Sequence, residues 1–331
     1  MSVATSAEHW MGIIRKEYLQ DFIRSGGAAV KFLVPLEGLS HSKLISLLRE
    51  TSEEEDYLFV SVDASKTRIH MIDKIFHTVS RQVDWGGVAL AFLCSVLSQS
   101  NFKLPESRED FSLSQLADLN GEDPGEMRRE VSELLGKRIS RDFSMTHEFR
   151  IAARRLCAAQ LEPQSIEQGV VEAVKRWLNG DLPFIAALKP ALIFRRIGRH
   201  NGRQMLSSLT HWLHLSGKAG LVLVLDISRF LEARRVPDDS VYYSGAALLD
   251  GYEVLRQFID STDELRFCLI LVLAPLSLVT DERRGIPRYE ALRLRVWDEV
   301  QDKRVANPLS SLVRLSGQEP PGTLQAYGGV R

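Results

Sequence analysis

Two runs of this chain leave few folds open. Leu221 to Leu225, L-V-L-V-L, and Phe267 to Ala274 are wholly apolar, one closed by Asp226 and the other by Pro275. Neither alternates apolar with polar residues, so each reads as a strand buried on both faces, the condition of a central strand in a parallel sheet. Phe32 to Val34 and Tyr57 to Val62, the latter ending at Asp63, read as two more strands. Apolar strands separated by helical patterns predict an α/β layer with a mostly parallel sheet.

The stretch Lys31 to Leu48, K-F-L-V-P-L-E-G-L-S-H-S-K-L-I-S-L-L, then takes on meaning. Phe32 to Val34 reads as strand, Pro35 to Ser42 as loop, and Lys43 to Leu48 as the first turns of a helix. Strand, tight loop and helix N-terminus form the context of a P-loop, where backbone N–H groups wrap a phosphate. The pattern G-x-x-x-x-G-K-[ST] finds Pro35 for its first Gly, Ser40 for its second and His41 for its Lys, and only Ser42 matches. The degenerate cradle is therefore Gly38, Ser40, His41 and Ser42. Pro35 fixes φ and removes a donor. His41 is shorter than Lys and lacks its permanent charge. Three readings compete: an ordinary buried strand before a helix, a working site of unusual sequence, and a nucleotide-binding fold that has lost its nucleotide. The chemistry favours loss. Downstream, a strand ending in Asp226 is the Walker B arrangement, in which Asp holds Mg²⁺. A working ATPase places an acidic residue next; here Ile227 follows. The plain alternative for Asp226 is an Asp at a strand end.

Composition excludes several classes. The 331 residues carry a formal charge of −1, with no global basic field for nucleic acid. No apolar run approaches ~20 residues, so no membrane span is expected, and the N-terminus shows no signal-peptide pattern. Cys94, Cys157 and Cys268 are scattered in apolar surroundings and read as buried free thiols in the cytosol.

Helical spacing is expected over Glu8 to Arg24, Ile69 to Val83 and Ser240 to Phe258, and over Tyr289 to Val300. The acidic run Glu53 to Asp56 reads as a solvated turn. Between Gly86 and Gly217 only helical patterns occur, including Pro190 to Ile197, with a polar loop over Ser107 to Gly121. The expected organisation is therefore an α/β domain in two parts, residues 1–85 and 218–316, a helical insertion at 86–217, and a Gly/Pro-rich flexible tail at 317–331.

Several segments, in order, carry a resemblance. They are E-Y-L-Q-D-F-I-R-S-G-G-A-A-V-K-F-L-V from Glu17, W-L-N-G-D from Trp177, G-L-V-L-V-L-D from Gly220 and D-E-R-R-G-I-P-R-Y-E-A-L-R-L-R from Asp281. This order resembles the BREX-type ATP-binding proteins, the BrxD-like P-loop proteins of bacterial antiphage defence islands, related to AAA+ and STAND ATPases. The resemblance spans about Glu17 to Val300. It implies a P-loop NTPase fold, ATP and Mg²⁺ as ligands if the site still binds, and partners among other defence proteins or copies of the chain. Members keep an intact P-loop and an Asp-Glu pair; Pro35, Ser40, His41 and Ile227 depart from that. The expected function is a pseudo-ATPase with a structural or regulatory role, the alternative being an active ATP switch or DNA-associated ATPase. Little room remains after R-Y-E-A-L for a further DNA-binding domain.

Other groups have two readings each. Arg195, Arg196, Arg199, His200 and Arg203 form a basic cluster for nucleic acid or an acidic partner, or a solvated helix face. Arg283 and Arg284 are interface or arginine-finger candidates, or part of a turn held by ion pairs with Asp281 and Glu282. His211 and His214 have helical spacing for a metal, but no carboxylate or cysteine nearby in sequence completes a set, so no metal site is expected.

Overall fold

The computed structural model describes residues 4–162, 168–232, 237–296 and 307–317. Along the chain run β1 (Thr5–Ser6), α1 (Ala7–Ile14, continued as a π-helix over Arg15–Phe22), β2 (Ala28–Pro35), α2 (His41–Glu54) and β3 (Tyr57–Asp63). Then come α3 (Ile72–Ser80), α4 (Trp85–Gln99), α5 (Leu113–Asn120), α6 (Pro124–Leu135), α7 (His147–Leu161), α8 (Gln168–Leu178) and α9 (Gly202–Leu215). The chain returns with β4 (Gly220–Asp226), α10 (Gly245–Asp260), β5 (Cys268–Leu273), α11 (Ser277–Thr280), α12 (Glu290–Val296) and β6 (Leu312–Ser316). It divides into two compact units, one built from the residues up to Met71 and from Ala219 on, the other from Ile72–Lys218.

The first unit is built on a six-stranded sheet in the order β1-β6-β2-β5-β4-β3, with every pairing parallel. The mixed α/β, all-parallel arrangement is that of a P-loop ATPase-like fold. The two unpatterned apolar runs are β4 and β5, both interior and both buried on two faces. Val222, Val224, Leu269 and Leu271 pack with Trp10, Ile14, Leu44 and Leu48 of α1 and α2 in one core. Because β4 separates into two buried faces, its sequence shows no period of two.

The sheet has two more strands than expected, β1 and β6. β1 spans two residues and shows no pattern, and β6 is a short edge-side strand. Two side chains seat β6. Lys31, buried in β2, points its ammonium at the carbonyls of Leu309 and Ser310 and lies 4.8 Å over the Tyr18 ring. Trp10 Nε1 donates to the Pro308 carbonyl at 3.0 Å.

The first helix explains an irregular spacing. Trp10, Ile14, Leu19 and Ile23 are fully buried, whereas Phe22 is exposed and Ile13 only half-buried. The step of five from Ile14 to Leu19 fits the wider π-turn, which keeps Leu19 on the core side.

Glu53 to Asp56 is only in part the solvated turn expected. Glu53 and Glu54 finish α2, and Glu55 is buried. Its carboxylate accepts from Arg15 Nε at 2.6 Å and Gln20 Nε2 at 2.9 Å, while Arg24 donates to its carbonyl at 2.7 Å. Burial alone would raise the Glu55 carboxyl, but hydrogen bonds from Gln20 and Arg15 outweigh it and hold the group below the usual carboxylate range. A carboxyl lowered on folding stabilises the fold above its unfolded value, and that contribution fades as pH falls through the folded one. Glu55→Gln is expected to cost about 1–2 kcal/mol at neutral pH. The loss should shrink as pH falls below about 4. Urea unfolding of both proteins across that range checks it, and a pH-independent difference would contradict it.

Other boundaries also moved. Ser107 to Gly121 holds a helix, α5, capped by Ser112 Oγ. No helix runs from Pro190 through Ile197: a 3-10 helix over Ile185–Ala191 ends at Leu192, and an irregular segment leads to α9. The Ser240 to Phe258 pattern begins as helix only at Gly245, after the Ser244 cap. Cys157 and Cys268 are buried free thiols, and Cys94 is half-buried. The tail from residue 318 and the 297–300 end of the last helical pattern lie outside the described residues. Among the described residues, no helix is long and apolar enough to cross a membrane.

Candidate nucleotide-cradle site

β2 ends at Pro35, a five-residue loop follows, and α2 begins at His41. Helix therefore starts two residues earlier than the spacing suggested, which puts His41 and Ser42 in its first turn. The loop leaves β2 through Leu36, whose N–H donates to the Leu315 carbonyl of β6 at 2.8 Å. Gly38 takes a φ of +92°, with nothing among the described residues within 4 Å of where a Cβ would sit. A left-handed loop residue just before a helix N-terminus is the geometry that turns backbone N–H groups towards a bound anion.

The side chains are set differently. Ser40 is the N-cap residue, but its hydroxyl makes no capping bond. It lies 2.8 Å from the Ser42 hydroxyl instead. His41 turns across the C-terminal end of the sheet, and its Nδ1 stands 3.7 Å from Asp226 Oδ2. Asp226 ends β4, two strands away from β2 with β5 between them. Its other oxygen accepts the Ser228 N–H at 2.9 Å. Asp63 ends β3 in register with Asp226 and accepts the Ser65 N–H at 2.7 Å. Ile227, at the place of a second acid, is fully buried, and its N–H donates to the Leu273 carbonyl at 2.8 Å. The tertiary structure thus brings together the two halves of the motif, Gly38 to Ser42 and Asp226, from opposite ends of the chain.

A model of the family described as BREX system ATP-binding protein BrxC/D matches residues 14–323. The chain belongs to this family. It is accordingly a protein of the BREX antiphage defence system, of the ATP-binding kind. No curated protein and no solved structure matches the chain.

The residues present fit the ATP of the family's name, with the Mg²⁺ that a P-loop site holds beside it, only in part. The α2 N-terminus, the Ser42 hydroxyl and the Asp226 carboxylate are donors and acceptors of the right kind. None of Gly38, Ser40, His41 and Ser42 carries a fixed positive charge, and Ser40 and Pro35 stand where the pattern has glycine. His41 meets Asp226 itself, and Ile227 offers no carboxylate to orient water.

The remaining candidates lie elsewhere. Arg284 is held by its surroundings: its guanidinium donates to the Leu231 and Tyr243 carbonyls, both at 2.8 Å. Asp281 does not pair with the arginines through their side chains but accepts the backbone N–H groups of Arg283 and Arg284 at 2.8 and 3.0 Å. Arg283 is exposed. Arg195, Arg196 and Arg199 are exposed on the irregular segment before α9, and Arg203 lies in its first turn. Arg195 faces Glu148 at 3.7 Å, and Arg196 donates to the Pro183 carbonyl at 2.7 Å. This is no regular helix face. His211 has a carboxylate partner that is distant in sequence, Asp142, at 2.7 Å. Burial would raise the Asp142 carboxyl, but the His211 hydrogen bond lowers it overall. Among the described residues no three His, Cys, Asp or Glu side chains are placed to hold a metal ion.

Proposed function

We propose that this BREX protein keeps the P-loop fold as a structural or regulatory subunit of a larger defence assembly and does not hydrolyse ATP. The observation that carries the reading is the contact of His41 with Asp226, 3.7 Å apart. The residue at the lysine position turns to the residue that would hold Mg²⁺ instead of offering a charge to phosphate. Charge-assisted contacts to phosphate are the strong ones, and the group that makes them in this motif is missing. The buried Ile227 supports the same reading.

A nucleotide-responsive switch is the second reading. The left-handed Gly38 and the α2 N-terminus, which its Ser40 hydroxyl does not cap, favour it, because backbone N–H groups alone attract anions.

One pair of measurements separates them. Phosphate release by the purified chain with Mg-ATP is expected to stay at the level of an Asp226→Ala variant. Turnover that Asp226→Ala abolishes would end the first reading. Thermal melting tests the second, since a ligand at a hundredfold excess over its Kd adds ~3 kcal/mol. A clear upward shift at millimolar Mg-ATP without turnover would establish the switch, and no shift would count against it.

A further inference from the structure

The helical unit exposes three phenylalanines. Phe143, Phe184 and Phe194 are 84%, 72% and 65% exposed. Rings left in water contribute little to folding, and a group of them marks an interaction site. Each stands beside an arginine. The Arg150 guanidinium lies 4.9 Å over the Phe143 ring. Phe194 is followed by Arg195 and Arg196, both exposed. Arg196 donates to the Pro183 carbonyl at 2.7 Å, which brings Phe184, the next residue, alongside.

The segment that carries Phe194 is held in shape. Leu192, at a φ of +64°, turns the chain out of the 3-10 helix. Ile193 and Ile197 are buried, which leaves Phe194, Arg195 and Arg196 outside. Trp177 Nε1 donates to the Arg195 carbonyl at 3.0 Å, and Asn201 Nδ2 to the Arg196 carbonyl at 3.3 Å. Arg150, Arg154, Phe194 and Arg195 border one groove of about 1110 Å³. The groove thus links the Phe143–Arg150 pair to Phe194, and the Arg196 bond links Phe194 to Phe184.

The acids along this track are already matched. Glu162 pairs with Arg128, Asp181 pairs with Arg81, and Glu148 lies 3.7 Å from Arg195. Arg150 and Arg154 donate to uncharged groups, the Ser140 carbonyl and Ser132 Oγ, as Arg196 does. Lys189 and Arg199 add exposed cations. The chain carries −1 overall, so this positive face is local.

We propose that the track binds a single strand of nucleic acid, its bases stacked on Phe143, Phe184 and Phe194 and its phosphates against Arg150, Arg195, Arg196 and Arg199. Aromatic platforms interleaved with cations are what an unpaired strand needs. A duplex hides its base faces and meets only the cations. Neither contact, guanidinium to phosphate or ring to base, involves the 2′-hydroxyl, so DNA and RNA strands are both accepted. An acidic peptide would engage the arginines and leave the rings without flat partners. The proposal goes beyond the nucleotide question and holds whichever way that is answered.

The test uses the full-length chain and fluorescence anisotropy, with labelled oligothymidylate, oligouridylate and a mixed-sequence duplex, each of about twenty nucleotides per strand. The thymidylate should bind at least about tenfold more tightly than the duplex, and the uridylate within about threefold of the thymidylate. Phe184→Ala/Phe194→Ala should weaken binding at least about tenfold and leave its salt dependence unchanged. Phe184→Leu/Phe194→Leu, which keeps apolar bulk and loses the rings, should weaken it as well, and melting curves for every variant guard against misfolding. Arg196→Gln/Arg199→Gln should weaken binding and flatten the slope of log affinity against log salt by about 1.4, or about 0.7 for each phosphate contact. No binding at about 50 mM salt, a duplex bound as tightly as the single strand, or binding of one sugar alone would overturn the proposal. So would an affinity that ignores both phenylalanine pairs, or equal displacement of the strand by polyglutamate, which would mark a site for acidic proteins.

Discussion

Gly220→Ala is expected to destabilise the α/β unit by about 3–5 kcal/mol, among the largest effects open to one added methyl group. Gly220 opens β4 with a φ of +152°, and a Cβ there would lie 2.2 Å from the Phe267 carbonyl oxygen. That oxygen cannot retreat cheaply. It accepts the Leu221 N–H at 2.9 Å, and Phe267 itself is held at a φ of +57° just before β5. The close approach sets where β4 and β5 begin to pair, with Leu221 opposite Cys268, and so places Asp226 at the far end of β4. The clash thus meets the backbone carbonyl of Phe267 rather than the far end of a flexible side chain. Gly38→Ala provides the control, because its φ is also positive but no described residue lies within 4 Å of its Cβ position. It should cost only ~1 kcal/mol. Chemical denaturation of the two variants measures the contrast. A Gly220→Ala loss no greater than that of Gly38→Ala would show that the strand ends can separate without penalty.

The second large effect belongs to the helical unit. Trp212 of α9 is fully buried against Trp85 and Phe92 of α4 and Phe149 of α7, with ring centroids 6.0, 6.4 and 5.8 Å away. Trp212→Ala removes the side chain on which three helices converge and leaves a cavity too well walled to collapse. The expected cost is about 3–5 kcal/mol. The indole N–H of Trp212 finds no hydrogen-bond partner among the described residues. Trp212→Phe should therefore lose packing alone, and clearly less than alanine. Hydrogen exchange resolved by peptide is the measurement, with faster exchange expected in α4, α7 and α9. If phenylalanine proves as damaging as alanine, the N–H has a partner and the account of this core is incomplete.

The strand, loop and helix start of the candidate cradle were legible in the sequence because their cues are local. A strand, a short loop with glycine and a helix start are written in neighbouring residues, and so are the substitutions at Pro35, Ser40 and His41. The interior strands were legible for a similar reason: burial on both faces demands uninterrupted apolar residues, and β4 and β5 have them. The resemblance to the family drew on some of these segments, with those from Trp177 and Asp281 added, and the match over residues 14–323 bears it out.

What the chain order hid was every relation between distant residues. β1 and β6 are too short to announce themselves, and they exist because β2 offers an edge and Lys31 and Trp10 hold the turn before β6. Glu55 looked solvated within an acidic run, and only the approach of Arg15 and Gln20 made its burial affordable. The arginines around 195 looked like a helix face until Leu192 turned the chain out of its 3-10 helix. Above all, that His41 meets Asp226 was decided in three dimensions. Pattern alone reports a lost lysine, whereas parallel stacking of β2, β5 and β4 brings the substitute within 3.7 Å of the acid. Local sequence sets which elements form, through propensity and patterning. The partners a side chain meets depend on sheet order and loop closure, which involve contacts hundreds of residues apart.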